Sequence, residues 1–318
     1  MQILKMKLVK AKGVNNMKNI FIDICKMSQK SLKKYVAKQL KKTHEDIIVE
    51  DGFVYAQGKY PVLLVAHMDT VHKNLPHFIK SEGDKLSSPN GIGGDDRCGV
   101  YMILEIVKRY NCSVLFCEDE EIGCVGAVKF TQTKLADELV GQFNYIMEFD
   151  RRGNNDAVFY ECDNPEFEEF ITKEFYKTAS GSFSDISEIA PVLECAAVNL
   201  SCGYYNAHTK DEYVVWSEME TSIKEAMKIL ERTEPKDKFE YIEAVYNYNY
   251  KRYNKSNPYE YAYSEGCYIF TVDNLKGDYS YYEAYASSLE EAVGYFCMEY
   301  PNRCFNDIVD VYFEPNEF

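Results

Sequence analysis

Two histidines and several acids stand in this sequence at the ends of apolar runs, where chemistry can be done. "PVLLVAHMDT" runs apolar until His67, with Asp69 two residues on. "CEDEEIG" sets Glu120 and Glu121 side by side just after the run 113–117, and "IMEFD" sets Asp150 just after 145–149. "GIGGDDRCG" puts Asp95 and Asp96 in a glycine-flanked turn, and "GYYNAHTKDE" carries His208. Carboxylates gathered together repel and raise one another's pKa, so such a set makes sense chiefly around a cation. Imidazole with carboxylate suits zinc, and also manganese or cobalt. A metal-bound imidazole usually gives its other N–H to a carboxylate that fixes the ring, which is the role expected of Asp69.

These residues need elements to position them. Up to about residue 234, "DIIVE", "PVLLVA", "CSVLFC", "NYIMEF", "DAVFY" and "CAAVNL" read as strands. Between them "SLKKYVAKQLKK", "GVYMILEIVKRY", "EFEEFITKEFYK" and "SEMETSIKEAMKILERT" read as helices. The alternation predicts an α/β fold with a mostly parallel central sheet and helices on both faces. In such a sheet the functional crevice lies outside the carboxyl ends of the strands. His67, Glu120, Glu121 and Asp150 fall there, Asp95 and Asp96 open a helix beside it, and His208 follows the strand 195–200. "GSFSDISE" holds a capping-box pattern at Asp185 and Glu188 and marks a helix start. The stretch "TEPKDKFE" breaks the alternation. Residues 1–234 are therefore expected to form the catalytic domain, and 235–318 a Tyr-rich linker with a small β-β-α-β module. Near the start "NIFIDI" reads as strand-like, and Met17 before it is an alternative initiator to Met1.

Composition narrows the class. The 318 residues, 46% hydrophobic, suffice for one large domain or two. No run approaches the roughly 20 apolar residues of a membrane span, and the N-terminus lacks a signal-type core, so a cytoplasmic protein is expected. Eleven scattered cysteines, an odd number, read as free thiols. With 36 basic against 51 acidic residues, the net charge of -15 argues against nucleic acid or an anionic membrane as the main partner.

Taken in order, "HMDTV", "GIGGDDRCG", "EDEEIGCVGA", "EFD" and "GYYNAHT" resemble the five metal-site motifs of the co-catalytic di-zinc exopeptidases, the group of peptidase T, aminoacylase-like carboxypeptidases and leucyl aminopeptidases. The resemblance covers roughly residues 60–215. It implies two divalent ions, zinc foremost, with Asp95 bridging them. His67 and Asp150 would complete one site, Glu121 and His208 the other, with Glu120 as general base. A water activated between the ions would attack an amide carbonyl, and Glu120 would carry its proton to the leaving amine. Glu120 and Glu121 must then point apart, which a tight turn helped by Gly123 allows. Many carboxypeptidase-like relatives insert a lid or dimerisation domain between the fourth and fifth motifs, whereas Asp150 and His208 are 58 positions apart here; His67 and Asp95 are only 28 apart. The missing lid favours an aminopeptidase on short peptides. An N-acyl amino acid deacylase or other amidohydrolase, and a non-catalytic metal-binding interaction protein, are the alternatives. Arg151 and Arg152 are candidates to hold a substrate carboxylate, and Tyr204 and Tyr205 to line a pocket. Asp96 reads as a cap or a partner of Arg97. His44, His72 and His77 read as surface residues, and the Tyr-rich segment 240–263 as an interface or a packed linker. The sequence leaves the oligomeric state open.

Overall fold

The chain divides into two units, Met1–Ala244 and Val245–Phe318. The computed structural model describes residues 17–181 and 183–244 and, in the second unit, 266–273, 279–286, 308–315, 292, 293 and 296. The first described element is α1 over residues 17–25, where "NIFIDI" is helical instead of strand-like. Phe21, Ile24 and Cys25 are buried at a spacing of three to four residues, and Phe21 packs 5.7 Å from Tyr101 and 6.1 Å from Trp216. Tertiary packing thus overrides the local β-propensity of Ile and Phe. Helix α2 (Gln29–Leu40) starts at Ser28, whose hydroxyl accepts the Ser31 N–H, and buries Leu32, Val36 and Leu40 on one stripe.

Strands β1 (Ile47–Glu50), β2 (Phe53–Ala56) and β3 (Tyr60–His67) follow, then β4 (Lys80–Glu82), β5 (Lys85–Ser87), α3 (Gly94–Ile106) and β6 (Cys112–Cys117). A 3₁₀ turn, Glu120–Ile122, leads to α4 (Val125–Thr131), α5 (Lys134–Leu139), β7 (Tyr145–Arg151), β8 (Asp156–Val158), α6 (Pro165–Thr172) and β9 (Lys177–Thr178). The unit continues with α7 (Asp185–Leu193), β10 (Ala197–Ser201), β11 (Tyr204–Tyr205), β12 (Tyr213–Val215) and α8 (Trp216–Arg232). Eight strands form a mixed sheet in the order β1-β2-β6-β3-β7-β10-β8-β9, whose centre β6-β3-β7-β10 is parallel. A second sheet, β11-β12-β5-β4, lies alongside in the chain.

Two apolar layers explain why the central strands read as unbroken hydrophobic runs. Val62, Leu64 and Ala66 of β3 join a core with α1, α2, α3, α6 and α8, while Leu63 and Val65 join one with α4, α5 and α7. Covering both faces buries every residue from Val62 to His67; at about 1.5–3 kcal/mol for each large aliphatic side chain, a register slip is prohibitive. Strand β3 has β6 on one side and β7 on the other, although β6 and β7 both come after it in the chain. The order of strands therefore reverses at β3, and the carboxyl end of β3 is the switch point where an open α/β sheet forms its crevice.

Residues 235–244 stay with the first unit, ten residues beyond the break in composition. The Phe239 N–H donates to the Asn144 carbonyl at 2.8 Å, and the Phe239 ring sits 5.2 Å from both Phe167 and Phe170. One aromatic anchor holds a segment whose polarity reads as linker. In the second unit β13 (Gly266–Asp273) lies between β14 (Tyr279–Ala286) and β15 (Ile308–Pro315), all antiparallel, around Tyr268, Phe270, Ala284, Ala292 and Phe296. The Tyr-rich stretch from 245 to 263, and most of the helix expected between β14 and β15, lie outside the described residues. Among the described residues no helix is long and apolar enough to cross a membrane, and Cys25, Cys98, Cys112, Cys117, Cys124, Cys162, Cys195 and Cys202 are free and buried.

Candidate metal centre

The parallel pairing of β3 with β7 runs to Val65 and Glu148, two residues short of His67 and Asp150, so these two side chains leave neighbouring strand ends on the same face. His67 is fully buried. Its Nδ1 lies 3.1 Å from Asp69 Oδ1, and the same carboxylate accepts the Glu120 and Glu121 N–H groups at 3.0 Å each. Asp69 thus orients the ring and fixes the acidic turn at once. With Nδ1–H directed at Asp69, Nε2 is the atom left to face outward. It stands 3.1 Å from Asp95 Oδ1, 3.5 Å from Asp150 Oδ1 and 3.8 Å from Glu120 Oε2.

The other oxygen of Asp95 faces the other way. Its Oδ2 is 3.1 Å from His208 Nε2, which is itself 3.0 Å from Glu121 Oε2. One carboxylate therefore stands between two histidines, each with a second acid of its own. His67, Asp95 and Glu121 offer donor atoms within 4.8 Å of one another, as do His67, Asp96 and Asp150. Asp96 is already engaged: its Oδ2 accepts the His67 N–H at 3.3 Å and its Oδ1 the Gly99 N–H at 2.8 Å. It therefore anchors main chain, whereas the Asp150 carboxylate accepts from side-chain hydroxyls. No ion pair joins Asp96 to Arg97 among the described residues; Arg97, buried, reaches the Ile24 carbonyl at 3.4 Å. The Asp95–Asp96 peptide bond is cis. Glu120 and Glu121 diverge within the 3₁₀ turn, closed by the Gly123 N–H on the Glu120 carbonyl at 2.9 Å with Gly123 at φ +105°.

Around Asp150 a polar network replaces apolar packing. Ser184 Oγ donates to Oδ2 at 3.0 Å and Tyr204 OH to Oδ1 at 3.4 Å. Asn199 accepts the Asp150 N–H at 2.8 Å and donates to the Asp150 carbonyl at 3.1 Å and to Tyr160 OH at 2.8 Å. Tyr204 is thus a buried neighbour of Asp150 and not an open pocket wall. Tyr205 bonds Glu218 at 2.6 Å and stacks on Tyr213, while Arg151 pairs with Asp156 at 3.3 Å; Arg152 is exposed. Helix α7 starts one residue before the Asp185–Glu188 capping pattern indicates: Ser184 is the N-cap, Ser187 Oγ accepts the Ser184 N–H at 3.2 Å, and Asp185 is already helical.

The electrostatics are those of a site short of positive charge. Among the described residues no lysine or arginine pairs with Asp69, Asp95, Asp96, Glu120, Glu121 or Asp150. Burial, then the charges of Asp150, Glu121 and Asp95, push Glu120 up to about 8 against the pull of His67. Burial and Asp95 push Asp150 up to about 7. Burial alone would depress His67, but Asp150, Asp69 and Asp95 together raise it well above its ordinary value; hydrogen bonds to Asp95 and Glu121 push His208 up to about 11. Asp95 is held low by the two imidazoles in spite of its burial. Behind them Glu148 and Asp185 are fully buried with all four carboxyl oxygens unpartnered, and burial raises both, Asp185 to about 7. Proteins relieve such crowding with protons or with metal ions, and the donor set of two imidazoles and several carboxylates is one that divalent cations take.

Sequence reasoning missed several contributors. Asn199 and Glu148 are lone polar residues in apolar strands, a signal in itself. Cys124 donates to Glu120 Oε1 at 3.6 Å. His72 and His44 are not surface residues: His72 Nε2 is 2.6 Å from Glu212, and the buried His44 has Nε2 2.8 Å from the Cys112 carbonyl.

No protein-family model matches the sequence, and no curated protein does. Solved structures do. An aminopeptidase PepT from Bacillus cereus ATCC 10987 superposes with a TM-score of 0.56 at 12% identity, over 68% of this chain and 98% of that one. An aminopeptidase from the archaeon Desulfurococcus kamchatkensis gives 0.56 at 14% identity, over 70% and 96%. A tripeptidase from Staphylococcus aureus gives 0.53 at 12% identity, over 68% and 97%. At such identities the likeness is one of fold: this chain has the α/β architecture of those peptidases.

Proposed function

We propose that this protein is a metal-dependent hydrolase of amide bonds, an exopeptidase that releases residues from short peptides with a free amino end. One observation carries the reading: Asp95 presents Oδ1 to His67 and Oδ2 to His208, each at 3.1 Å, which is the arrangement a carboxylate shared by two cations requires. The names of the similar structures, aminopeptidases and a tripeptidase, support the substrate class.

His67 and Asp150 would hold one ion beside Asp95 Oδ1, and Glu121 and His208 the other beside Oδ2. Zinc suits this mixture of imidazole and carboxylate, with manganese or cobalt as substitutes. Divalent ions there would polarise the scissile carbonyl and make a water acidic near neutral pH. Glu120 would take up a proton there and return it to the leaving nitrogen; its Oε2, 3.8 Å from His67 Nε2, and its other oxygen, which accepts from the Cys124 thiol, support that role. Asp69 keeps the His67 ring turned and the two glutamates apart. The free, buried cysteines support a reducing compartment and hence the cytoplasm.

The test is elemental analysis of the purified protein, paired with free-amine and N-acylated amide substrates before and after chelation. About two equivalents of metal and chelator-sensitive cleavage of free-amine substrates are expected. The Glu120→Gln variant should keep its metal and lose about 10²–10⁴-fold in turnover. Unchanged turnover in that variant would falsify the assignment, and cleavage confined to acylated substrates would make the protein a deacylase instead.

A further inference from the structure

Glu212 stands at the far end of the loop that carries His208, and it is fully buried. Its Oε1 accepts the Asp95 N–H at 3.1 Å; its Oε2 accepts the Gly93 N–H at 2.7 Å and lies 2.6 Å from His72 Nε2. One carboxylate therefore satisfies two buried amides of the turn that presents Asp95, and it does so from the segment that presents His208. The turn has no slack between them. A Cβ on Gly91 would fall 2.1 Å from His72 Cε1, and one on Gly94 would fall 2.8 Å from Val214 Cγ2 and 2.9 Å from Tyr204 Cβ. His72 presses on one side of residues 91–94 and the 204–214 segment on the other.

The two sides of the centre depend on this clamp unequally. His67 ends a buried strand and is turned by Asp69, so its place is set by the sheet. His208 sits in left-handed backbone at φ 62° with its side chain 57% exposed, and among the described residues its ring pairs with Asp95 and Glu121. Glu212 and the short β11–β12 pairing are what return its loop to the core.

We infer that Glu212, backed by His72, is a positioning residue that fixes the distance between His208 and Asp95 and so governs the affinity of the His208-side cation selectively. The inference rests on the two-cation reading above. Without the buried acceptor behind its Gly93 and Asp95 N–H groups, the Asp95 turn would be free to move away from His208, and outer hydrogen-bond partners of a metal site typically change metal affinity by about 10–100-fold when removed.

The experiment is zinc titration of the full chain against a chromogenic chelator, with the thermal stability of the metal-free protein measured in parallel. Wild type is expected to bind two ions. Glu212→Ala should weaken the His208-side ion about 10–100-fold and the His67-side ion, which shares Asp95 but keeps His67 and Asp150 on the sheet, much less. Glu212→Gln keeps one acceptor but turns an NH₂ towards the other amide, and should fall between. His72→Ala should give the same selective loss, smaller. If Glu212→Ala does not fold, the Gln and His72 variants carry the test. Equal weakening of both ions, or a lower melting temperature with both affinities intact, reduces Glu212 to a structural role and overturns the inference. A wild type that binds no zinc overturns the two-cation reading itself, and the inference with it.

Discussion

The two histidines of the centre live in opposite surroundings. His67 is the last residue of a buried strand, 0% exposed, with Asp69 behind its Nδ1; the side chain of His208 is 57% exposed on a loop, and no carboxylate backs its second ring nitrogen among the described residues. The sheet builds one half of the site in advance, and loops assemble the other. On the two-cation reading, the first half would hold its ion as a rigid cup, and the second would gain its order from the Asp95 turn and from the ion it binds.

The sharpest way to break this comparison is to remove each imidazole. In the metal-free protein, His67→Ala should lower unfolding stability by about 1–3 kcal/mol, because it leaves carboxylates unpartnered beyond the reach of water, whereas His208→Ala should cost less, because its exposed place lets water reach the freed Asp95 and Glu121 oxygens. Both should lose one cation by titration. Equal losses of stability in urea unfolding would show that the halves are not built differently. A finer cut is Asp69→Asn, which has no counterpart on the other side. The amide can serve some of the three donors at Asp69 but not all, so the His67-side ion should weaken about 10–100-fold with the His208-side ion less affected; the reverse order of losses would contradict the assigned halves. The smallest effect is expected from Ser184→Ala, which takes one donor from Asp150 Oδ2. About 1 kcal/mol, or roughly fivefold in affinity for the His67-side ion, should follow, and isothermal titration can resolve that.

The second comparison worth drawing is between what was legible in the residues and what was not. His67, Asp69, Glu120, Glu121 and Asp150 were legible because each follows a strand whose apolar run announces burial on both faces, and strand ends at a parallel sheet's carboxyl edge share a location. Asp95 and His208 were legible through the ordered motifs. The roles of Glu212, His72, Ser184 and Asn199 were not, since each acts on a partner distant in the chain: Glu212 is 117 positions from Asp95, and Asn199 is 49 from Asp150. The helix at 17–25 is not legible because a short apolar run rich in Ile and Phe fits a strand as well as a buried helix, and packing on Tyr101 and Trp216 breaks the tie. Likewise Phe239 keeps residues 235–244 on the first unit through rings it meets only in the fold.

What the sequence by itself determined is the kind of site: which residue types stand where strands end, in which order, and with an excess of carboxylate over imidazole that calls for cations. Those properties are local, fixed by side-chain chemistry and by the period of the apolar pattern. What only the tertiary structure decided is the division of labour within the site. It turned the two oxygens of Asp95 to different histidines, engaged Asp96 with main chain, and tied the His208 loop to the Asp95 turn through a buried Glu212. Hydrogen bonds have direction and reach only about 3 Å, so such partnerships exist once the chain has brought distant segments together and excluded water from between them.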